Sequence, residues 1–173
     1  MEQKTNMRGK TAKYKVGLFV GRFQPFHIGH LHALAYAAKR CKKLVIGIGS
    51  AQEAGTEKNR FDAKTRIRMI KAAIKENKLH LENISFLKIP DFYSDEKWYS
   101  FIMQKVPNLE VVFSRNPWVT RIFRSRHVKI VKPPWYRRDK ISGTKIRKRI
   151  NAHKDYEKLV PKAVVQIIKK SSI

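Results

Sequence analysis

Short apolar runs alternate along the chain with longer segments whose apolar residues recur every three or four positions. Such runs are typical of buried strands, whereas the wider spacing is typical of amphipathic helices. The strands predicted in this way are residues 15–20, 44–48, 84–89, 110–113 and 128–131. Because helical segments separate them, the pattern predicts an α/β fold.

Residues that cap helices stand where the predicted helices should begin. Asp62 and Ser94 precede the second and third helices, and Asn116, followed by a proline, precedes the fourth. Side chains of these types accept hydrogen bonds from the first free N–H groups of a helix, and proline fits its first turn. Two further helices should begin near Ser142 and Pro161.

Regular alternation of strands and helices predicts a doubly wound, Rossmann-like parallel sheet with right-handed crossovers. With the strand order 3-2-1-4-5, strands 1 and 4 flank the crevice in which ligands bind. Three unusual stretches follow strands 1, 4 and 5: "GRFQPFHIGH" (21–30), "SRNPW" (114–118) and "PPWYRRDKISGTKIRKR" (133–149). The topology therefore predicts that they meet in one cleft.

The 173 residues carry a formal net charge of +26, from 39 Lys and Arg against 13 Asp and Glu. This length suits one domain, so we expect a flexible basic tail over residues 1–14 and a single domain over residues 15–173. The charge predicts an anionic partner, such as nucleic acid, nucleotide phosphates or an acidic surface. Residues 120–149 hold twelve Lys or Arg against the single acid Asp139, which favours a phosphate-facing surface over simple solubility.

Cys41 is the only cysteine in the sequence. A single cysteine excludes a disulfide framework and a thiolate metal cluster, and it fits a reducing compartment. The sequence contains no apolar run of about eighteen residues and no apolar stretch near its start that resembles a signal peptide. We therefore expect a soluble cytoplasmic protein without a membrane partner.

Two histidines, His27 and His30, stand at the predicted start of the first helix, with Gly29 between them. A helix N-terminus attracts anions through its free N–H groups and its dipole, and glycine allows a close backbone approach. An imidazole there donates to phosphoryl oxygens without the strongly hydrated charge of lysine, and Arg22 adds a planar guanidinium. Two alternatives are a buried structural histidine and a zinc site, for which no third ligand of suitable spacing is present.

A second phosphate site is predicted in "ISGTKIRKR", residues 141–149. Ser142, Gly143 and Thr144 suit a helix start with free N–H groups, and Arg147 follows about one turn later. The alternative is a capped surface helix with basic residues. The two sites come with neither a nucleophilic Ser or Cys nor a carboxylate pair, which favours phosphoryl or nucleotidyl transfer by positioning and charge stabilisation.

These motifs resemble those of the HxGH nucleotidyltransferases and, among them, the archaeal type of nicotinamide-nucleotide adenylyltransferase. The resemblance covers about residues 16–168. It rests on "GRFQPFHIGH", "IGIGSAQ", "IPDFYSDEKW", "SRNPWVTRIF" and "PPWYRRDKISGTKIRKR". The HxGH and ISxT motifs are typical of the superfamily, and the stretches between them are typical of the subfamily.

The resemblance implies transfer of AMP from ATP to the 5′-phosphate of nicotinamide mononucleotide (NMN), which gives NAD and pyrophosphate. It also implies Mg²⁺ bound through the ATP phosphates. We expect in addition no metal held by protein ligands, and a homo-oligomer. By position, the catalytic residues would be Arg22, His27, His30 and Arg147. Of these, His30 would lie nearest the α-phosphate. The implied ATP-binding residues are Gly21, Arg22, Phe23, His27, Gly29, His30, Ser142, Gly143, Thr144 and Arg147. The implied NMN-binding residues are Ser50, Gln52, Asp91, Trp98 and Asn116.

The chain departs from the usual pattern of this family in two places. Lys58 stands where an arginine is usual, and residues 59–62 replace an Asn-Pro-Phe-Thr run. Arg115 stands where a glycine is usual between Ser114 and Asn116. If that position has a positive φ, Arg115 is strained.

Several alternatives stay open. The acceptor could be another phosphate monoester, such as flavin mononucleotide (FMN) or phosphopantetheine. The region from Asp91 to Trp98 distinguishes NMN from these acceptors, because for NMN it has to accept a small flat cation. Trp98 also falls on the apolar face of its helix, where core packing is the competing interpretation. The charge fits a nucleic-acid-binding protein as well. Trp135 and Tyr136 beside two arginines resemble a platform for stacking bases, although they also fit a loop closing over ATP.

Overall fold

A computed structural model describes residues 12–79 and 83–171 of the chain. The strands are β1 (Tyr14–Gly21), β2 (Cys41–Ile48), β3 (Ile84–Lys88), β4 (Val111–Phe113) and β5 (Lys129–Val131). The helices are α1 (Ile28–Ala38), α2 (Ala63–Glu76), α3 (Asp95–Lys105), α4 (Pro117–Arg124), α5 (Gly143–Asn151) and α6 (Lys162–Lys170), with a short 3-10 helix (Glu157–Leu159) before α6. Residues 1–11, most of the predicted tail, lie outside the described residues.

The five strands form one parallel sheet in the predicted order β3-β2-β1-β4-β5. Strand β2 begins earlier than predicted, because its first residue, Cys41, pairs with Tyr14 of β1. The polar, exposed Lys42 and Lys43 hid this part of the strand from the apolar pattern. The order places the carboxyl ends of β1 and β4 side by side at the point where the chain reverses its direction of winding.

Helices cover both faces of the sheet. Successive side chains of a strand point to opposite faces, so Leu18 and Phe19 of β1 enter two different cores. Helices α1, α2, α5 and α6 contribute buried residues to the core that contains Phe19, and α3 and α4 contribute to the core that contains Leu18. The doubly wound architecture is therefore confirmed.

The predicted helix starts are also confirmed. Asp62, Ser94, Asn116 and Ser142 each accept a hydrogen bond from a main-chain N–H group in the first turn of α2, α3, α4 and α5. These caps fix where each loop ends, and so they position the loops at the carboxyl edge of the sheet. Across residues 12–79 and 83–171, none of the helices has the length and apolar character that crossing a membrane requires.

Candidate active site

A cavity of about 450 Å³ opens at the carboxyl ends of β1 and β4. Most of its walls come from the three stretches that the topology predicts to converge, within residues 21–30, 114–117 and 133–147, and Phe19, Val20 and Ala33 complete them. All ten residues predicted to bind ATP line it. The fold therefore brings them together, and their contact with ATP remains a prediction.

The two histidines form a reciprocal cap at the start of α1. The Nδ1 atom of His27 accepts a hydrogen bond from the main-chain N–H of His30 at 3.1 Å, and the Nδ1 atom of His30 accepts one from the main-chain N–H of His27 at 3.3 Å. The two rings stack with their centroids 3.5 Å apart and their planes at 14°. The spacing in the motif is thus that of a capping box, so the two residues predicted to contact phosphate also have a structural role at the start of α1.

Both imidazoles are uncharged in the free protein at neutral pH. Burial, assisted by the positive charge of Arg138, lowers the pKa of His27 to about 3. Burial also lowers the pKa of His30 well below its ordinary value, assisted by His27 and Arg138. Because each Nδ1 accepts a hydrogen bond, the hydrogen-bond pattern assigns the proton of each neutral ring to Nε2. Each ring therefore has one N–H donor left for a ligand.

Two glycines permit close approaches in the cavity wall. A Cβ atom on Gly29 would lie 3.1 Å from the imidazole of His27, and one on Gly143 would lie 3.1 Å from the main-chain oxygen of Gln24. Side chains at these positions would separate the groups that shape the cavity. Glycine is therefore favoured by contact with neighbouring atoms here rather than by an unusual φ.

Helix α5 adds a second N-terminus to the cavity. The Oγ atom of Ser142 accepts a hydrogen bond from the main-chain N–H of Lys145 at 3.3 Å, which starts the helix. Ser142, Gly143 and Thr144 all line the cavity. Free N–H groups of two helices, α1 and α5, thus lie at one site that suits a chain of phosphates.

Arg147 connects α5 to other loops as well as lining the cavity. Its guanidinium donates to the main-chain oxygens of Gln24 at 2.8 Å and Glu57 at 3.0 Å. Burial and the nearby charge of Arg22 lower its pKa. Arg147 is therefore anchored by part of its donor set, and it shares the cavity with Arg22.

Arg138 was not among the predicted catalytic or ATP-binding residues, although it is one of the two arginines beside Trp135 and Tyr136 in the loop that could close over ATP. It lines the cavity, and its charge acts on both capping histidines. It stands in a run of cations, which gave no means of separating it from its neighbour Arg137.

Among the described residues that line the cavity there is no carboxylate, and the described ranges hold no group of three or more His, Cys, Asp and Glu side chains that could bind a metal. The cavity is therefore strongly positive.

Arg115 does not have a positive φ, so the condition for strain at this position is not met. Its Nε donates to the main-chain oxygen of Pro133. Its guanidinium lies 4.6 Å from the ring centre of Trp135. Arg115 therefore joins the loop after β4 to the segment before α5, which a glycine at this position could not do.

Three of the five residues predicted to bind NMN form one hydrogen-bonded cluster. Ser50 Oγ donates to one carboxylate oxygen of Asp91 at 3.0 Å, and Gln52 Nε2 donates to the other at 3.0 Å. Gln52 Oε1 in turn accepts from the main-chain N–H of Asp91 at 3.0 Å. This Asp91 cluster follows the carboxyl ends of β2 and β3, and it holds a negative group in a fixed orientation.

The other two predicted NMN residues are not members of this hydrogen-bonded cluster. Trp98 is 3% exposed, and its ring centre lies 4.7 Å from that of Trp118 and 5.8 Å from that of Phe123. Core packing thus describes Trp98 in this structure, and stacking on a ligand would require the ring to become exposed. Asn116 lines the cavity that contains His27 and His30, and its Oδ1 caps α4.

Arg66 was not predicted as a site residue, and it joins the two parts of the site, which are the cavity and the Asp91 cluster. Its side chain is fully buried. It donates to the main-chain oxygens of Arg22 at 2.9 Å, Gly49 at 2.7 Å, Ser50 at 3.0 Å and Asp62 at 3.2 Å. The loop after β1 is thereby fixed against the loop that carries part of the Asp91 cluster. The available signal was a cation within the buried stripe of α2.

Gln24 holds the loop after β1 from another side. Its Nε2 donates to the main-chain oxygen of Phe61 at 2.7 Å, and its Oε1 accepts from the main-chain N–H of Phe61 at 2.9 Å. The side chain is buried. Gln24 therefore acts as a bridge between two loops, a role that its place in the motif did not reveal.

Comparison with known sequences gives three findings. A sequence model of the family described as cytidylyltransferase-like matches residues 18–149. The chain is 39% identical over 152 residues to a Saccharolobus solfataricus protein named nicotinamide-nucleotide adenylyltransferase, and the alignment covers 88% of each chain. It is 41% identical over 153 residues to a Pyrococcus abyssi protein of the same name, with 88% of this chain and 82% of that one covered.

A solved structure with a similar fold is a bifunctional NMN adenylyltransferase/ADP ribose pyrophosphatase from Francisella tularensis, complexed with AMP and a Mn ion. The TM-score is 0.79 at 24% sequence identity. The similarity covers 92% of this chain and 50% of the other, so the chain spans about half the length of that bifunctional protein. At this identity, the likeness shows the fold.

Proposed function

The chain belongs to the cytidylyltransferase-like family, and on that premise we propose that it transfers AMP from ATP to NMN and so forms NAD and pyrophosphate. The observation that carries the proposal is the reciprocal cap of two neutral imidazoles. The cap faces a cavity that also receives two helix N-termini and several arginines. Such a site suits a polyphosphate whose negative charge is redistributed during the reaction.

In the proposed reaction, an oxygen of the NMN 5′-phosphate attacks the α-phosphorus of ATP. The bond from that phosphorus to the oxygen shared with the β-phosphate breaks, and pyrophosphate leaves with the electron pair. The acceptor supplies the nucleophile, so the protein has to align the reactants and stabilise charge. His30 donates from Nε2 to the α-phosphate and His27 to the neighbouring phosphates, while Arg22 and Arg147 neutralise the leaving group.

The Asp91 cluster is the proposed site for the nicotinamide end of the acceptor. The nicotinamide ring of NMN is a cation, and the Asp91 carboxylate is held by Ser50 and Gln52 in one orientation. A fixed negative group attracts this ring, whereas the flavin of FMN and the pantetheine chain are uncharged. We therefore propose NMN over those two acceptors.

We propose that the divalent cation is Mg²⁺ and that it arrives bound to ATP. Phosphate oxygens are ligands that Mg²⁺ prefers, and the described residues that line the cavity supply arginines and histidines rather than carboxylates. The cation would offset charge on the phosphates during transfer.

Three predictions from the sequence remain predictions: a homo-oligomer, a cytoplasmic location, and a single domain over residues 15–173 after a flexible tail. Light scattering tests the oligomeric state.

The reaction is tested by pyrophosphate release from ATP and Mg²⁺ with NMN, nicotinic acid mononucleotide, FMN or phosphopantetheine as acceptor. We expect rapid release with NMN and little with FMN or phosphopantetheine. The control is the His30→Ala protein, folded by circular dichroism. Release with FMN or phosphopantetheine alone would assign a different acceptor. An absence of release with every acceptor, together with tight binding of nucleic acid, would replace the enzyme by a nucleic-acid-binding protein.

A further inference from the structure

A second cavity, of about 550 Å³, lies beside the first. It is formed by residues 32–40, which include most of α1, and by residues 134–136. The latter segment also lines the first cavity, which we call the ATP cavity because the proposed reaction places ATP there. The two cavities therefore share a wall. Tyr36, Lys39 and Arg40 line the second cavity, and they take no part in the first.

Planar side chains are stacked along this second cavity. The imidazole of His32 lies on the ring of Tyr136, with centroids 3.6 Å apart and planes at 11°. The guanidinium of Arg40 lies 3.4 Å from the ring centre of Tyr36. Flat rings combined with guanidinium groups are the side chains on which unpaired bases stack.

Trp135 provides the most accessible ring of the shared wall, at 57% exposed. The guanidiniums of Arg115 and Arg138 lie 4.6 Å and 5.0 Å from its centre. A base can stack on the exposed part of the indole while these cations lie near the phosphates on either side of it. The structure thus combines an exposed stacking surface with positive charge beside it.

The charge of the second cavity is not balanced by nearby acids. Among the described residues that line it there is no carboxylate, and the ion pairs within the described ranges involve Arg121, Arg126 and Lys169 instead. Lys39 and Arg40 follow the C-terminal end of α1, where the helix dipole repels rather than attracts an anion. Attraction for phosphate must therefore come from side chains, which can contact several points along a strand.

We propose that the second cavity binds single-stranded nucleic acid, with a base stacked on Trp135 and backbone phosphates contacted by Lys39 and Arg40. The proposal goes beyond AMP transfer and does not depend on it, because these two cations lie outside the ATP cavity. Several planar groups and separate cations favour a strand over one free nucleotide. A duplex is disfavoured, because its bases are stacked inside and cannot reach the indole.

The experiment is fluorescence anisotropy of a labelled oligothymidylate of about twelve nucleotides, titrated with the full chain at several NaCl concentrations. A single strand contributes about 0.7 to the slope of log Kd against log salt for each phosphate contact. The double variant Lys39→Gln/Arg40→Gln should therefore lower the slope by about 1.4. The control Lys75→Gln/Lys105→Gln removes the same charge from exposed positions on α2 and α3, and it should leave the slope unchanged.

A second variant tests stacking. Trp135→Ala should raise the Kd for the oligothymidylate by about 5- to 150-fold, the effect of losing one stacked base. Because Trp135 also lines the ATP cavity, this variant is read only through its Kd for the strand. Pyrophosphate release by Lys39→Gln/Arg40→Gln should stay at the wild-type rate, which separates strand binding from the proposed reaction.

Four outcomes would overturn the proposal. An equal change of slope in both double variants would mean that the strand binds the basic surface in general. Equal affinity for a duplex of the same length would exclude stacking. Thymidine 5′-monophosphate binding as tightly as the oligothymidylate would make a free nucleotide the ligand. An absence of binding at low salt would exclude the strand altogether.

Discussion

Replacing Arg66 with methionine removes the link between the two parts of the site. Methionine keeps an unbranched apolar chain in the same space but has no donors. The guanidinium donates to four main-chain oxygens at 2.7 to 3.2 Å. Those of Asp62 and Ser50 also accept main-chain N–H bonds. The oxygens of Arg22 and Gly49 are therefore the ones that lose their donor.

The cost follows from these two oxygens. A fully buried acceptor left unpaired costs about 1–3 kcal/mol. Both bonds are partly buried, so losing the two costs at most about 2–6 kcal/mol. Part of this is offset because a cation no longer has to be buried, and we expect a net loss of about 2–4 kcal/mol in the free energy of unfolding. Domains have about 5–15 kcal/mol, so the variant should fold but unfold at a lower urea concentration. The control Arg68→Met, at an exposed position on the same helix, should change stability by less than about 0.5 kcal/mol.

Activity should also fall in the protein that remains folded, because Arg66 holds the loop of Arg22 against that of Ser50. A misplacement of about 1 Å costs about a hundredfold in rate, so kcat/KM for NMN at saturating ATP should fall by about 10- to 100-fold in folded protein. Arg66→Lys keeps the charge without the fork and should restore only part of both losses. Urea unfolding and steady-state pyrophosphate release measure the two effects. A wild-type urea midpoint with wild-type kcat/KM in Arg66→Met would refute the reasoning, and lower stability with unchanged kcat/KM would limit Arg66 to the fold.

Four further predictions concern the other site residues. His30→Ala should lower kcat by about 10² to 10³, the effect of losing one transition-state donor, and a folded, fully active variant would exclude this role. Arg147→Ala should raise KM for ATP and lower kcat, with partial rescue by lysine because the fork is lost; full rescue would mean that charge alone matters. Trp98→Ala should lower the free energy of unfolding by about 3–5 kcal/mol because the ring is buried, and a selective rise in KM for NMN in Trp98→Phe would be needed to assign it to the acceptor. Burial lowers the pKa of His27 from 6.5 to about 3, so the unfolded chain takes up a proton that the folded protein does not. Stability should therefore fall as the pH drops from 6.5 towards 3, by up to about 1.4 kcal/mol per pH unit, and His27→Gln should reduce this slope in urea titrations.

The strand order was predictable because few right-handed arrangements satisfy an alternation of apolar runs and amphipathic helices. The helix starts at Asp62 and Ser142 were predictable because capping is local. Arg66 was not predictable, because its acceptors belong to two connections distant in sequence and to its own helix cap. The cap made by His27 and His30 was overlooked because the same spacing fits a phosphate site.

The reciprocal cap makes the turn after β1 a self-contained unit. Its two rings are aligned by main-chain N–H groups of the same turn, and Phe23 and Phe26 from the same segment pack against the ring of His30. A designer who needs a pair of oriented, uncharged donors above a strand could transplant residues 21–30 in one piece to another strand–helix junction. For natural variation the same arrangement is a restriction: changing either ring removes a donor and loosens the helix start at once. We therefore expect that variants with a single change at His27 or His30 have both a lower reaction rate and a lower stability than the present sequence.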